Sequence, residues 1–180
     1  MKQIITLIAT LSFNLGLCQN IYVPDDNFEY YLETHIYNGQ PCAVGYLGSM
    51  GDGILNNDSA SAYNNSAWTT SLTLNDLEIA DFTGIESFTI LQSLTIGPNA
   101  TTSGAFTINS STITSLTING GGGQMSSLVC NSNSLTSLSC TYATTLTSLD
   151  LTGCPSINSL TVSNNLSMVD LQINPTSISQ

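Results

Sequence analysis

The chain repeats itself, and that restricts its possible folds more than any other property. An apolar residue, two variable positions, Leu, one variable position and a second apolar residue recur at Leu91-Leu94-Ile96, Ile113-Leu116-Ile118, Met125-Leu128-Cys130 and Leu135-Leu138-Cys140. The template continues at Leu146-Leu149-Leu151, Ile157-Leu160-Val162 and Leu166-Val169-Leu171, with partial copies at Leu72-Leu74 and Phe106-Ile108. Residues 94, 116, 138 and 160 are spaced by 22, while 106, 128, 149 and 169 fall about half a period away. Alternation around each Leu predicts a short strand with one buried face. Strands of three or four residues cannot build a core alone, so copies on successive coils must stack. Because the pattern recurs twice per period, each coil is expected to give one strand to each of two short parallel sheets. The fold class is therefore mainly β, a solenoid with a thin aliphatic core roughly 10 Å thick.

Three positions past several strands stands Asn: Asn99, Asn133, Asn165 and Asn174, with Ser111 and Cys154 in equivalent places. The chain must turn there, and an Asn side chain can satisfy backbone groups of adjacent coils, so these four are expected to form a structural Asn ladder. Residues 125–135 fit the leucine-rich-repeat signature, with Cys130 and Asn133 where that family has Leu or Cys and Asn. With its nested half-period, the stretch from about residue 70 to 180 resembles the short, 21–22-residue leucine-rich repeats, sometimes called IRREKO-type, of secreted Bacteroidetes proteins. Two departures stand out: the glycine run at 120–123 replaces an Asn turn, and the copy at Phe106 lacks its leading apolar residue.

Ahead of the repeats, Asp26 and Glu29 are spaced as a capping box, and Phe28, Tyr31, Leu32, His35 and Ile36 fall on one helical face. A short helix plugging the open end of the first coil is expected, because terminal repeats need a cap. Ile79, Phe82, Ile85 and Phe88 recur every third residue and predict a tight helical turn on the back of that coil. The stretches VPDDNFEYYLE, GDGILNND and LEIADFTGIESF resemble the N-terminal region of the same bacterial repeat proteins. That resemblance implies further coils and a type IX sorting domain, so the chain reads as an N-terminal fragment.

Lys2, an apolar run over 4–17 and a polar stretch from Gln19 have the layout of a secretory signal peptide at 1–18, with Gly16 and Cys18 as the small residues before the cut. The run is too short for a membrane anchor and is broken by Thr6, Thr10, Ser12 and Asn14. Acylation of Cys18 would require a small residue where Leu17 stands. The division expected is thus 1–18 leader, 19–70 cap region with one helix, and 71–180 repeats, exported to the medium or the cell surface. The chain has twelve acidic residues and Lys2 as its only Lys or Arg. Nucleic acid is excluded as a partner, since its affinity comes largely from Lys and Arg displacing counterions. No second long apolar segment exists, so the mature chain is not expected to insert in a membrane. Four cysteines follow the leader, Cys42, Cys130, Cys140 and Cys154, and their three possible disulfide pairings stay open.

Signals for chemistry are weak. Gly51-Asp52-Gly53 with Asp58 hints at a calcium loop. If Gly53 is the sharp-turn glycine, Gly48, Met50 and Ser59 occupy ligand positions, so a polar turn is the expectation. His35 is the sole histidine and reads as a packed cap residue. No Gly-x-Ser-x-Gly elbow occurs, and Cys130 and Cys140 sit at inward strand positions as small apolar residues without zinc-like spacing. No catalytic residue, metal or cofactor is expected.

The outward positions say more. Ser71 and Thr73, Ser93 and Thr95, Ser115 and Thr117, Ser137 and Ser139, and Ser159 and Thr161 flank the central residues of one sheet. Stacking would align them as two hydroxyl files about 4.8 Å from coil to coil. On the other sheet Asp150 and Asp170 are expected to be neighbours, as a weak cation site, two solvated charges or a hydrolytic pair. The expected function is a non-catalytic extracellular scaffold contacting a protein or glycan; the alternative is an ice- or water-ordering surface built from the hydroxyl files.

Overall fold

The structure, a computed structural model, describes residues 20–35, 40–43, 54, 57–61, 69–120 and 124–174. The expected leader at 1–18 and the Gly51-Asp52-Gly53 turn lie outside them.

The expected solenoid is present. One parallel sheet consists of β3 (Ser71–Leu74), β4 (Ser93–Ile96), β6 (Ser115–Asn119), β8 (Ser137–Thr141) and β10 (Ser159–Ser163), in that spatial order. The second holds β5 (Gly104–Asn109), β7 (Met125–Asn131), β9 (Ser148–Gly153) and β11 (Asp170–Ile173). Strands alternate between the sheets from β4 onward. In the first coil a 3-10 turn at Ile85–Ser87 and a bridge from Ile79 to Thr101 stand on the second side. Ile79, Phe82, Ile85 and Phe88 are all buried there, as their three-residue spacing predicts.

The reason for the register is visible in the backbone. The N–H groups of Gln92 and Ser93 both donate to Thr70 O, those of Thr114 and Ser115 to Gln92 O, and those of Thr136 and Ser137 to Thr114 O. Each coil therefore starts its strand on the carbonyl of the coil before. Leu72, Leu94, Leu116 and Leu138 form one buried row, and Leu74, Ile96, Ile118 and Cys140 a second. Facing them are Phe106, Leu128 and Leu149, then Ile108, Cys130 and Leu151. Leu91, Ile113, Leu135 and Ile157 close the turns, also buried. Burial of each side chain of this size contributes about 1.5–3 kcal/mol before ordering costs.

The last copy is in a different frame from the one expected. Val169 and Asp170 N–H both donate to Thr147 O, which places Val169 where earlier coils have an outward Thr. Leu171 pairs with Leu149 and Ile173 with Leu151, so the repeat is Met168-Leu171-Ile173. Leu166 and Val169 are 90% and 88% exposed. A slip of two residues preserves face parity, so the apolar pattern alone does not separate the frames; the inter-coil backbone ladder does.

At the other end, β1 (Asn20–Tyr22) pairs antiparallel with β2 (Ser59–Ser61), and α1 (Asp26–Thr34) carries Phe28 and Leu32 fully buried. The cap residue is Asp25, one position earlier than the expected Asp26. Its extended backbone lets Oδ1 accept the Phe28 N–H at 2.8 Å, and its Oδ2 reaches the N–H groups of Ala80 and Asp81 at 2.7 and 3.2 Å. One carboxylate thus starts the helix and ties it to the first coil. Phe28, Phe82 and Phe106 continue the link as ring contacts at 6.3 and 5.6 Å. Gly84, at φ 105°, allows this approach, since a Cβ there would stand 2.9 Å from Tyr22 O.

Candidate functional site

The hydroxyl face is assembled by the registration just described. Ser71, Ser93, Ser115, Ser137 and Ser159 are consecutive Cα partners, and so are Thr73, Thr95, Thr117, Ser139 and Thr161. All ten are half-buried or exposed, and among the described residues their hydroxyls bond to no other protein group. The files carry no charged side chain, and each hydroxyl can donate once and accept twice. Chemically the surface is a neutral, in-register lattice of donors and acceptors on an acidic protein.

Several hydroxyls elsewhere on the coils bond to the backbone of the neighbouring coil. Thr114 Oγ1 donates to Gln92 O at 3.1 Å, Thr136 Oγ1 to Thr114 O at 3.1 Å, Ser126 Oγ to Gly104 O at 2.9 Å and Thr147 Oγ1 to Ser126 O at 2.8 Å. These side chains stitch one coil to the next. The signal for them was the same spacing of 21 or 22 residues, at or just before the start of each strand.

The Asn ladder is realised only in part. Asn165 behaves as expected: its Nδ2 donates to Cys140 O at 2.9 Å and its Oδ1 accepts the Ala143 N–H at 2.7 Å. Asn174 Nδ2 reaches Thr152 O at 3.4 Å. Asn133 is exposed, and its place is taken by buried Ser132, whose hydroxyl donates to Ile113 O at 3.0 Å. Asn99 is also exposed; it occupies a left-handed turn at φ 49° and donates to Asp76 Oδ1 at 3.0 Å. Likewise Ser110, not Ser111, is buried and accepts the N–H groups of Thr112 and Ile113.

The cause of the offset is a bulge. Val129 pairs with Asp150 and Asn131 with Gly153, so β9 has one residue more than β7 before the turn. Cys154 therefore stands three residues past its strand's last buried position, Leu151, where Ser132 stands two past Cys130. Thr152 fills the bulge by donating both N–H and Oγ1 to Asp150 Oδ1, at 2.8 and 2.6 Å. Those two bonds hold the Asp150 carboxyl below the usual aspartate range.

Asp150 and Asp170 are not cross-strand partners. Asp170 lies beside Ser148 and Asp150 beside Gln172. Asp170 Oδ2 accepts from Gln172 Nε2 at 2.9 Å. Both carboxylates are engaged on an open strand face, which offers no enclosure to separate their protonation states. A groove of about 390 Å³ between the 3-10 turn and β5 contains Asp81 and Glu86. Its carboxylates are also occupied, Asp81 by Thr83 N–H and Oγ1 and Glu86 by Gly84 N–H. His35 ends α1, stacked on Tyr31 with ring centroids 4.1 Å apart, and its Nδ1 lies 2.8 Å from Tyr31 O. It is a half-buried packing residue of the cap, as expected.

Cys130 and Cys140 are buried as expected, and none of the four cysteines among the described residues is in a disulfide. No helix long and apolar enough to cross a membrane occurs among the described residues. No protein-family model, curated protein or solved structure matches the chain.

Proposed function

We propose that the chain is an exported, non-catalytic binding scaffold related to the short leucine-rich repeats, whose hydroxyl face contacts a glycan or a protein. The single observation that carries this reading is the unbroken register of ten Ser and Thr side chains across five strands. A rigid, uncharged row of hydroxyls, each both donor and acceptor, suits polyhydroxylated or extended peptide partners, whose own groups repeat at a few ångströms. The acidic remainder of the molecule disfavours anionic partners.

The test is retention of ligand by the immobilised full chain, on a glycan array and against cell-surface extracts. A Thr95→Arg, Thr117→Arg double variant places bulk and charge in the middle of the face without entering the core. Ligand captured by the wild type should be lost at least tenfold in this variant and kept by a Thr107→Arg control on the other sheet. No captured ligand, or capture indifferent to the double variant, removes the proposal. The in-register files at about 4.8 Å also favour a second reading, ordering of water or ice. An ice-recrystallisation assay in which the chain has no effect eliminates it.

A further inference from the structure

We propose that the N-terminal cap binds one calcium ion between α1 and the segment leading into β2, through Asp26, Glu29 and Asp58. A carboxylate oxygen of each of the three lies within 4.8 Å of those of the other two. Two oxygens on opposite sides of a calcium ion, at about 2.4 Å each, are separated by about 4.8 Å, so the three oxygens fit within one coordination sphere.

Proximity of acids alone means little; Glu29 supplies the second observation. This residue is 0% exposed, yet it has no cationic partner, and the described residues contain no Lys or Arg. Its Oε1 accepts the N–H groups of Asn57 and Ser59 at 3.2 and 3.3 Å. Its Oε2 is buried and has no hydrogen-bond partner among the described residues. Leaving a buried acceptor unsatisfied costs about 1–3 kcal/mol, and more for a charged group. A cation held by the Glu29 carboxylate and one oxygen from each exposed aspartate neutralises the cluster and supplies the counter-charge that Glu29 lacks.

The donor set is oxygen only, which selects a hard cation over zinc or copper. Three carboxylates drawn from two segments, one of them buried and already bound to backbone N–H groups, suit the larger and more flexible shell of calcium better than the near-ideal octahedron that magnesium demands. The three ligands come from different parts of the cap: Asp26 and Glu29 from the first turns of α1, Asp58 from the residue before β2, whose carbonyl accepts the Val23 N–H at 3.1 Å. The ion would thus clamp the helix to the β1–β2 pair and stabilise the cap by mass action.

The experiment uses the full chain, stripped with chelator, in calorimetric titration with calcium chloride and by tyrosine-sensitised terbium luminescence. Tyr30 adjoins Glu29, and Tyr22 pairs with Ser59, so donors for the luminescence stand close by. One site with a dissociation constant of about 0.1–1 mM is expected, with a calcium-dependent rise in melting temperature. Glu29→Gln and Asp58→Asn should each weaken binding at least tenfold, while Asp76→Asn leaves it unchanged. If Glu29→Gln does not fold, the exposed Asp58→Asn decides. Absence of calcium heat and of a melting shift overturns the proposal, as does undiminished binding in Asp58→Asn. Tighter binding of magnesium than calcium also overturns it. A Glu29→Gln chain that melts higher than the calcium-free wild type, with neither binding calcium, shows instead a carboxylic acid buried in its neutral form.

Discussion

Three of the cysteines stand where the repeat template has an aliphatic residue or its turn, and their chemistry follows from that placement. Burial pushes the Cys140 thiol up to about 11, opposed in part by the amide of Asn165. The hydrogen bond shared with Cys154, and then burial, raise the Cys130 thiol. Access decides reactivity here: the bond shared with Cys130 lowers the Cys154 thiol, and burial with Glu33 raises that of Cys42. Yet only half-buried Cys42, of these four, should be within reach of a disulfide reagent in a folded chain at pH 8. Cys130, Cys140 and Cys154 should react after unfolding in denaturant; rapid modification of Cys140 in the native chain would contradict the placement. The inward orientation of Cys130 and Cys140 was readable from Leu-x-Cys alternation. Ser132 was not, because counting residues past a strand assumes strands of equal length, and the insertion beside Gly153 breaks that assumption.

Among the elements, α1 depends most on one side chain. Asp25 accepts three backbone N–H groups, one in its own helix and two in the first coil. Asp25→Ala leaves all three without that acceptor and should cost about 2–4 kcal/mol in chemical denaturation, above the roughly 1 kcal/mol of an ordinary N-cap. A loss below about 0.5 kcal/mol would mean that the helix is held by its aromatic contacts alone. The helix itself was legible from its apolar face. The choice between adjacent Asp25 and Asp26 was not, since both precede the same apolar stripe, and only the tertiary donors at Ala80 and Asp81 distinguish them. For the same reason Glu29 read as a surface capping partner, although it is turned into the cap against a segment about thirty residues away in sequence.

At the scale of the molecule, each coil touches only its neighbours, so identical substitutions should have graded effects along the axis. Leu138, 1% exposed with a coil on either side, should lose about 2–5 kcal/mol on replacement by Ala. Leu171, 42% exposed at the far end of the 180-residue chain, should lose under about 1 kcal/mol. Equal losses in urea denaturation would argue against stacking. The architecture of two parallel sheets was legible because seven copies reinforce one another, whereas the final copy offered two frames that only its neighbour could choose between. The 22-residue step has a further outcome for engineering or natural variation. Excising one whole period joins like to like and shortens the hydroxyl lattice by one rung, while excising half a period transposes every later strand to the opposite ribbon. The length of the lattice can therefore change only in quanta of a full turn, with the anchored helix at its origin left as it was.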